Sequence, residues 1–174
     1  MIEKVLQSKN LYKAYYRVVR KKGASGIDGM EVTELKSYID RHRNGILLSI
    51  LNGKYVPTAI SGVAIPKSNG KTRLLGVPTV VDRWFQQSLS QQLAIKFELD
   101  FEEESYGFRP GKNLHQAVKY SLKTINDGYQ DIVDIDLRGF FDEVQHYKLL
   151  QLIHNKVKCR TTLWLIRKWL RAPI

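Results

Sequence analysis

DIVDIDLRGFFDEVQH, residues 131–146, sets an apolar run among five acidic side chains. At the two-residue period of a strand, Val133, Ile135 and Leu137 fall on one face, and Asp134, Asp136 and Arg138 on the other. That spacing predicts a half-buried strand over 131–137, with Gly139 ending it. Burying an unpaired carboxylate is costly, so the acidic face must meet water, a cation or an Arg or Lys partner. A solvated sheet face and a metal-binding face both satisfy that condition. The rest of the chain has to choose between them.

Composition favours a polyanion as partner. The 174 residues carry 28 Lys and Arg against 17 Asp and Glu, a net charge of +11, which suits nucleic acid. An apolar fraction of 43% is ordinary for a folded core. The single Cys159 has no internal disulfide partner and no metal-ligand spacing around it, so a reducing, cytoplasmic setting is expected. No run of 18 apolar residues occurs, and MIEKVLQSKN lacks a signal-peptide core, so no membrane partner and no export are expected.

Working outward from the acidic stretch, the pattern predicts a helix over 113–126, with Leu114, Ala117, Val118, Leu122 and Ile125 inward. Helices over 146–157 and 160–171 are expected after it. Upstream, AISGVAIPKSNGKTRLLGVP, 59–78, places two short apolar runs around Asn69-Gly70, a strong hairpin signal. Its Gly70-Lys71-Thr72 is no P-loop, because Ile65 stands where that motif needs glycine. Lys67, Lys71 and Arg73 make the hairpin a cationic platform for a triphosphate or a strand backbone. A helix opening at Thr79 carries Val81, Trp84, Phe85, Leu89, Leu93 and Phe97. Residues 2–22 read as one helix with Tyr12, Tyr15, Tyr16 and Val19 on its apolar face and Lys9, Lys13, Arg17 and Lys21 in a basic row. That row is either a solvated face or a template and RNA-backbone contact. A further helix is expected over 32–51.

Four blocks in order, KKGASGIDGM (21–30), IPKSNGKTRLLGVPTVVDRWFQQSL (65–89), SYGFRPGKNLHQAV (105–118) and the acidic stretch, resemble the N-terminal part of the reverse transcriptase domain of group II intron-encoded proteins. The resemblance implies an α+β fold, the fingers and partial palm of a right-hand polymerase, in which helices pack on a short antiparallel sheet and a β-hairpin. Residues 1–85, with the basic helix and the hairpin at 60–77, would be fingers. Residues 86–174, with the acidic strand at 131–137 and the following helices, would begin the palm. The implied activity is RNA-directed DNA polymerisation by two-metal nucleotidyl transfer, joined to maturase function. The implied partners are intron RNA, an RNA template with a DNA primer, and deoxynucleoside triphosphates.

By the same resemblance Asp136 is the catalytic aspartate and, with the Leu137 carbonyl, a ligand of Mg²⁺. Lys67 and Arg73 contact the incoming triphosphate. Phe141, with Phe140 the second candidate, stacks beneath the sugar and excludes a 2′-hydroxyl. Arg109 lines the nucleotide pocket, Tyr106 and Phe108 lie on the template side, and Phe108 has loop anchoring as an alternative. Lys71 touches template or solvent. Asp134 is read as a neighbour of the metal site, and Asp131, Asp142 and Glu143 as solvated or capping charges. The family's Tyr-Ala-Asp-Asp hairpin is not among these residues, and the chain has no Asp-Asp pair. A fragment binding RNA without polymerising is therefore expected, with metal binding weak and homodimerisation through an uncovered sheet edge. The alternative is a non-catalytic module for intron RNA. A metal-dependent nuclease lacks the clustered His and Glu it would need.

Overall fold

The computed structural model describes residues 1–174 apart from 67–69, 71 and 138. Lys67, Lys71, Arg138 and the Asn69 turn residue, singled out above, lie outside the described residues. Those described form two compact units, Met1–Leu93 with His146–Ile174, and Ala94–Gln145. These units divide the chain differently from 1–85 and 86–174, because the two C-terminal helices join the N-terminal core. The architecture is α+β, with eight α-helices and one two-stranded antiparallel sheet among the described residues.

The larger unit begins with a correction. Instead of one helix over 2–22, α1 (Ile2–Leu6) and α2 (Ser8–Arg20) are separated by Gln7 in extended backbone, φ −58° and ψ 137°. The break frees the Val5 carbonyl, which accepts from Asn10 Nδ2 at 2.9 Å and from Ser88 Oγ. Asn10 Nδ2 also donates to the Ser88 carbonyl at 3.0 Å, and its Oδ1 accepts from Gln91 Nε2 at 2.9 Å and Gln92 Nε2 at 2.8 Å. One buried amide thus joins α1 and α2 to α4 (Val80–Phe97), meeting the requirement that buried polar groups be paired. The apolar face of α2 is Leu11, Ala14 and Val18, with Tyr12 and Tyr16 exposed. Of the face expected to be apolar, Tyr15 and Val19 pack half-buried against the core, whereas Tyr12 and Tyr16 face outward. A phenol ring counts as apolar in a periodicity but is stable in water, whereas Leu11 and Val18 are not.

Helix α3 (Leu35–Leu51) contributes Leu35 and Ile50, and α4 contributes Val80, Trp84, Phe85 and Leu89. Trp84 Nε1 donates to the Leu11 carbonyl at 2.9 Å. Helices α7 (His146–Val157) and α8 (Arg160–Leu170) pack on each other, as their periodicity predicts, and α8 sends Leu165 and Ile166 into the same core. Gly26 in the first resemblance block sits where an added Cβ would lie 2.7 Å from the Thr79 backbone. That loop can reach the start of α4 only without a side chain. Strands β1 (Ser61–Pro66) and β2 (Thr72–Val77) pair from Ser61 opposite Val77 to Pro66 opposite Thr72. The Ile60 N–H donates to the Pro173 carbonyl at 2.7 Å, tying the hairpin base to the segment after α8.

The smaller unit departs most from expectation. None of its described residues is buried. Helix α5 (Leu114–Asn126) opens with a capping box between Asn113 and Gln116, but Leu114, Val118, Leu122 and Ile125, expected inward, are exposed. The strand expected over 131–137 does not form, and Val133 and Ile135 are 82% and 81% exposed. A strand needs a partner for its N–H and C=O groups, and a lone extended segment has neither ladder nor packed face. A short helix α6 (Phe140–Glu143) follows Gly139. No helix among the described residues is long and apolar enough to cross a membrane.

Candidate functional site

The two units carry separate sets of candidate residues. In the larger unit, Lys9, Lys13, Arg17 and Lys21 are all exposed along and just past α2, opposite its buried Leu11, Ala14 and Val18. Between them lie the exposed rings of Tyr12 and Tyr16, centroids 5.9 Å apart, with Tyr15 stacked on Tyr12 at 6.4 Å. Burying Leu11 rather than Tyr12 is what places aromatic faces beside ammonium and guanidinium groups. Such a surface offers phosphate contacts and stacking together, the combination that single-stranded nucleic acid uses. Arg73 is exposed on β2, opposite Ile65 of β1.

In the smaller unit Asp134, Asp136 and Leu137 are exposed, in backbone that is neither strand nor helix. No cluster of three or more His, Cys, Asp or Glu able to hold a metal occurs among the described residues. Carboxylate and carbonyl oxygens suit hard Mg²⁺ in kind, but Asp136 and the Leu137 carbonyl are two donors where that ion takes roughly six. Phe140 and Phe141 stand edge to face, centroids 5.5 Å apart, and both are exposed.

The loop between α4 and α5 is organised by Arg109, whose side chain is only 9% exposed. Its Nε donates to Glu98 Oε1 at 3.0 Å, Nη2 pairs with the same oxygen at 2.9 Å, and Nη1 donates to the Ser105 carbonyl at 2.8 Å. Its guanidinium also lies 5.1 Å from the centre of the Phe101 ring. This arginine closes its own loop. Tyr106 lies 6.4 Å from Tyr120, with Lys112 Nζ 5.1 Å from the Tyr106 ring centre. Glu104 beside Tyr120 raises that phenol above its usual range. Phe108 takes a left-handed backbone, φ 56°, with its ring wholly exposed, so it does not anchor the loop.

Sequence reasoning missed Asp82. This carboxylate, near the start of α4, is 1% exposed and accepts four hydrogen bonds. They come from Tyr55 Oη at 2.7 Å, Trp169 Nε1 at 2.8 Å, the Thr58 N–H at 3.0 Å and Thr79 Oγ1 at 2.9 Å. Burial, then the Asp82 charge, pushes the Tyr55 hydroxyl far above its ordinary range, so it remains a donor. The hint in the sequence was Asp82 three residues after Thr79. Nothing local points to Tyr55 or Trp169.

Residues 65–174 match the family model described as reverse transcriptase (RNA-dependent DNA polymerase). Protein YkfC of Escherichia coli strain K12 is 29% identical over 178 residues, covering 99% of this chain and 47% of that protein. The group II intron-encoded protein LtrA of Lactococcus lactis subsp. cremoris is 33% identical over 162 residues, covering 92% of this chain and 27% of LtrA. Nuclear intron maturase 1 of Arabidopsis thaliana, a mitochondrial protein, is 30% identical over 107 residues, 60% of this chain and 15% of its own. The chain thus spans less than half the length of these relatives.

Proposed function

Because the chain belongs to the reverse transcriptase (RNA-dependent DNA polymerase) family and is similar to group II intron-encoded proteins, we propose that it forms the fingers and the start of the palm of an RNA-directed DNA polymerase and intron maturase. The observation that carries this reading is the matched stretch 65–174, which runs through the hairpin, the 105–118 loop and the acidic segment in one order. The basic, tyrosine-lined face of α2 supports an RNA partner. It supports equally the second reading, a module that holds intron RNA without catalysis.

In the polymerase reading Asp136 supplies a carboxylate, and Leu137 its carbonyl, to Mg²⁺. That ion would neutralise charge on the oxygens of a transferring phosphoryl group. Arg73 spans two phosphate oxygens of the incoming nucleotide, a geometry its planar guanidinium suits better than an ammonium would. Lys67 and Lys71 add charge at the same hairpin. Arg109, committed to Glu98 and Ser105, acts by holding the loop that presents Tyr106 to the template. Phe141 packs under the sugar and leaves no room for a 2′-hydroxyl. Replacing it with Ala is expected to raise the kcat/KM for ribonucleotides relative to deoxynucleotides by about 10- to 100-fold. An unchanged ratio would remove Phe141 from this role.

Primer extension tests the function. A full-length reverse transcriptase containing this chain is expected to add deoxynucleotides to a DNA primer on an RNA template, dependent on Mg²⁺. Residues 1–174 alone are expected to bind RNA with marked salt dependence and to add none. Incorporation by the 174 residues alone would show that the acidic segment needs no further carboxylates.

A further inference from the structure

From Val144 to Ile174 the chain carries seven Lys or Arg (Lys148, Lys156, Lys158, Arg160, Arg167, Lys168 and Arg171) and no Asp or Glu. This concentration lies in the α7 and α8 pair, away from the α2 stripe and the hairpin in sequence. Its cations are not equivalent. Lys168 Nζ donates to the Tyr55 carbonyl at 3.1 Å and sits 4.2 Å from the Trp164 ring centre, so its charge is committed to the fold. Arg167 and Arg171 are exposed, and neither guanidinium makes a hydrogen bond or ion pair among the described residues.

These two arginines line a cavity of about 280 Å³ with His146, Tyr147, Leu150 and Leu170. Arg171 is the C-cap residue just past α8, about one turn after Arg167, and like charges at that spacing repel unless an anion lies between them. Leu150 and Leu170 add apolar lining, and no carboxylate lines the cavity. The cavity has room for a phosphate group, and its two guanidinium groups favour an anion. Guanidinium forks match phosphate oxygens in pairs, and a Tyr hydroxyl and an imidazole add further donors.

We propose that the Arg167 and Arg171 cavity between α7 and α8 is a second RNA contact, taking a backbone phosphodiester independently of the α2 face. The proposal rests on the nucleic-acid reading above and deepens it. It gives this chain a second RNA contact, on the C-terminal helices that follow the acidic segment in sequence.

The test is fluorescence anisotropy of a labelled single-stranded RNA with the 174-residue chain, titrated across salt. The Arg167→Gln/Arg171→Gln variant is expected to bind at least about tenfold more weakly, with its log–log salt slope reduced by about 1.4, two phosphate contacts at about 0.7 each. Arg167→Lys/Arg171→Lys is expected to keep the slope while losing part of the affinity, since the charges stay and the forks go. Lys36→Gln/Arg41→Gln removes the same charge from α3 and is expected to change affinity less than threefold. Unchanged affinity in the Gln pair, or an equal loss in the α3 pair, overturns the cavity while leaving RNA binding in place. A wild-type chain that binds no RNA at low salt overturns the nucleic-acid reading itself. Far-UV circular dichroism and melting temperature, expected unchanged in every variant, separate these losses from unfolding.

Discussion

Asp136→Ala in a full-length reverse transcriptase containing this chain is expected to lower Mg²⁺-dependent deoxynucleotide incorporation by about a thousandfold or more. Metal stabilisation of a transferring phosphoryl group contributes several kcal/mol, and every 1.4 kcal/mol or so is a tenfold change in rate. The same substitution is expected to leave RNA affinity within about twofold, because Asp136 carries negative charge and contributes no phosphate contact. Asp134→Ala serves as the local control. It sits two residues earlier on the same exposed segment, and a neighbour of the metal site is expected to cost no more than about tenfold to a hundredfold. The quantities to measure are single-turnover primer extension and equilibrium RNA binding on the same preparations. More than a tenth of wild-type synthesis surviving in Asp136→Ala would remove Asp136 from the metal site, whereas RNA binding without synthesis by the wild type would favour the RNA-binding module. Synthesis and RNA affinity falling together would point to misfolding instead.

The acidic segment also shows why part of this chain was legible and part was not. Helices α7 and α8 and the two strands of the hairpin follow from local pattern: a 3.6-residue apolar period in the first case, an Asn-Gly between apolar runs in the second. Their bounds agree with the structure to within a residue or so. The segment 131–137 has an equally clear two-residue period, yet it is not a strand. Alternation describes what a strand would bury once it had a partner; it supplies no partner. The apolar face of α5 is misleading in the same way, since Leu114, Val118 and Leu122 have the right spacing but remain exposed.

The errors in α1 and α2 have a different origin. The break at Gln7 is rewarded by Asn10 and Ser88, and Ser88 is 78 residues away from Asn10. No window of sequence contains that pairing. The four cations along and just past α2 were legible because charge is exposed almost by rule, whereas a count that treats all aromatics as core fits Tyr15 and fails for the exposed Tyr12 and Tyr16. The structure thus leaves the candidate RNA face richer than its pattern suggested and the candidate metal site sparser. Both follow from which contacts are local.

The most damaging substitution for the fold is expected at Asp82. Its carboxylate receives Tyr55, Thr58, Thr79 and Trp169, tying the segment before the hairpin and α8 to the start of α4. Asp82→Ala would leave those donors facing an apolar gap, and each buried donor without an acceptor costs about 1–3 kcal/mol. With partial relaxation the expected loss is about 3–5 kcal/mol. That is a large share of the about 5–15 kcal/mol by which a domain is normally stable. Urea unfolding followed by tryptophan fluorescence measures it, with circular dichroism as the second probe. A double-mutant cycle tests the cause: Trp169→Phe should cost less in the Asp82→Ala background than in the wild type, by more than about 0.5 kcal/mol. The Tyr55 hydroxyl adds a pH signature. Its pKa is raised in the folded chain, first by burial and then by Asp82, so the stability it contributes is intact below about pH 10, where a free tyrosine begins to ionise. It should decline at higher pH, and Tyr55→Phe should flatten that decline. If Asp82→Ala unfolds within about 1 kcal/mol of wild type, the four hydrogen bonds are not what joins α8 to the start of α4, and the apolar contacts of Leu165 and Ile166 must do so instead.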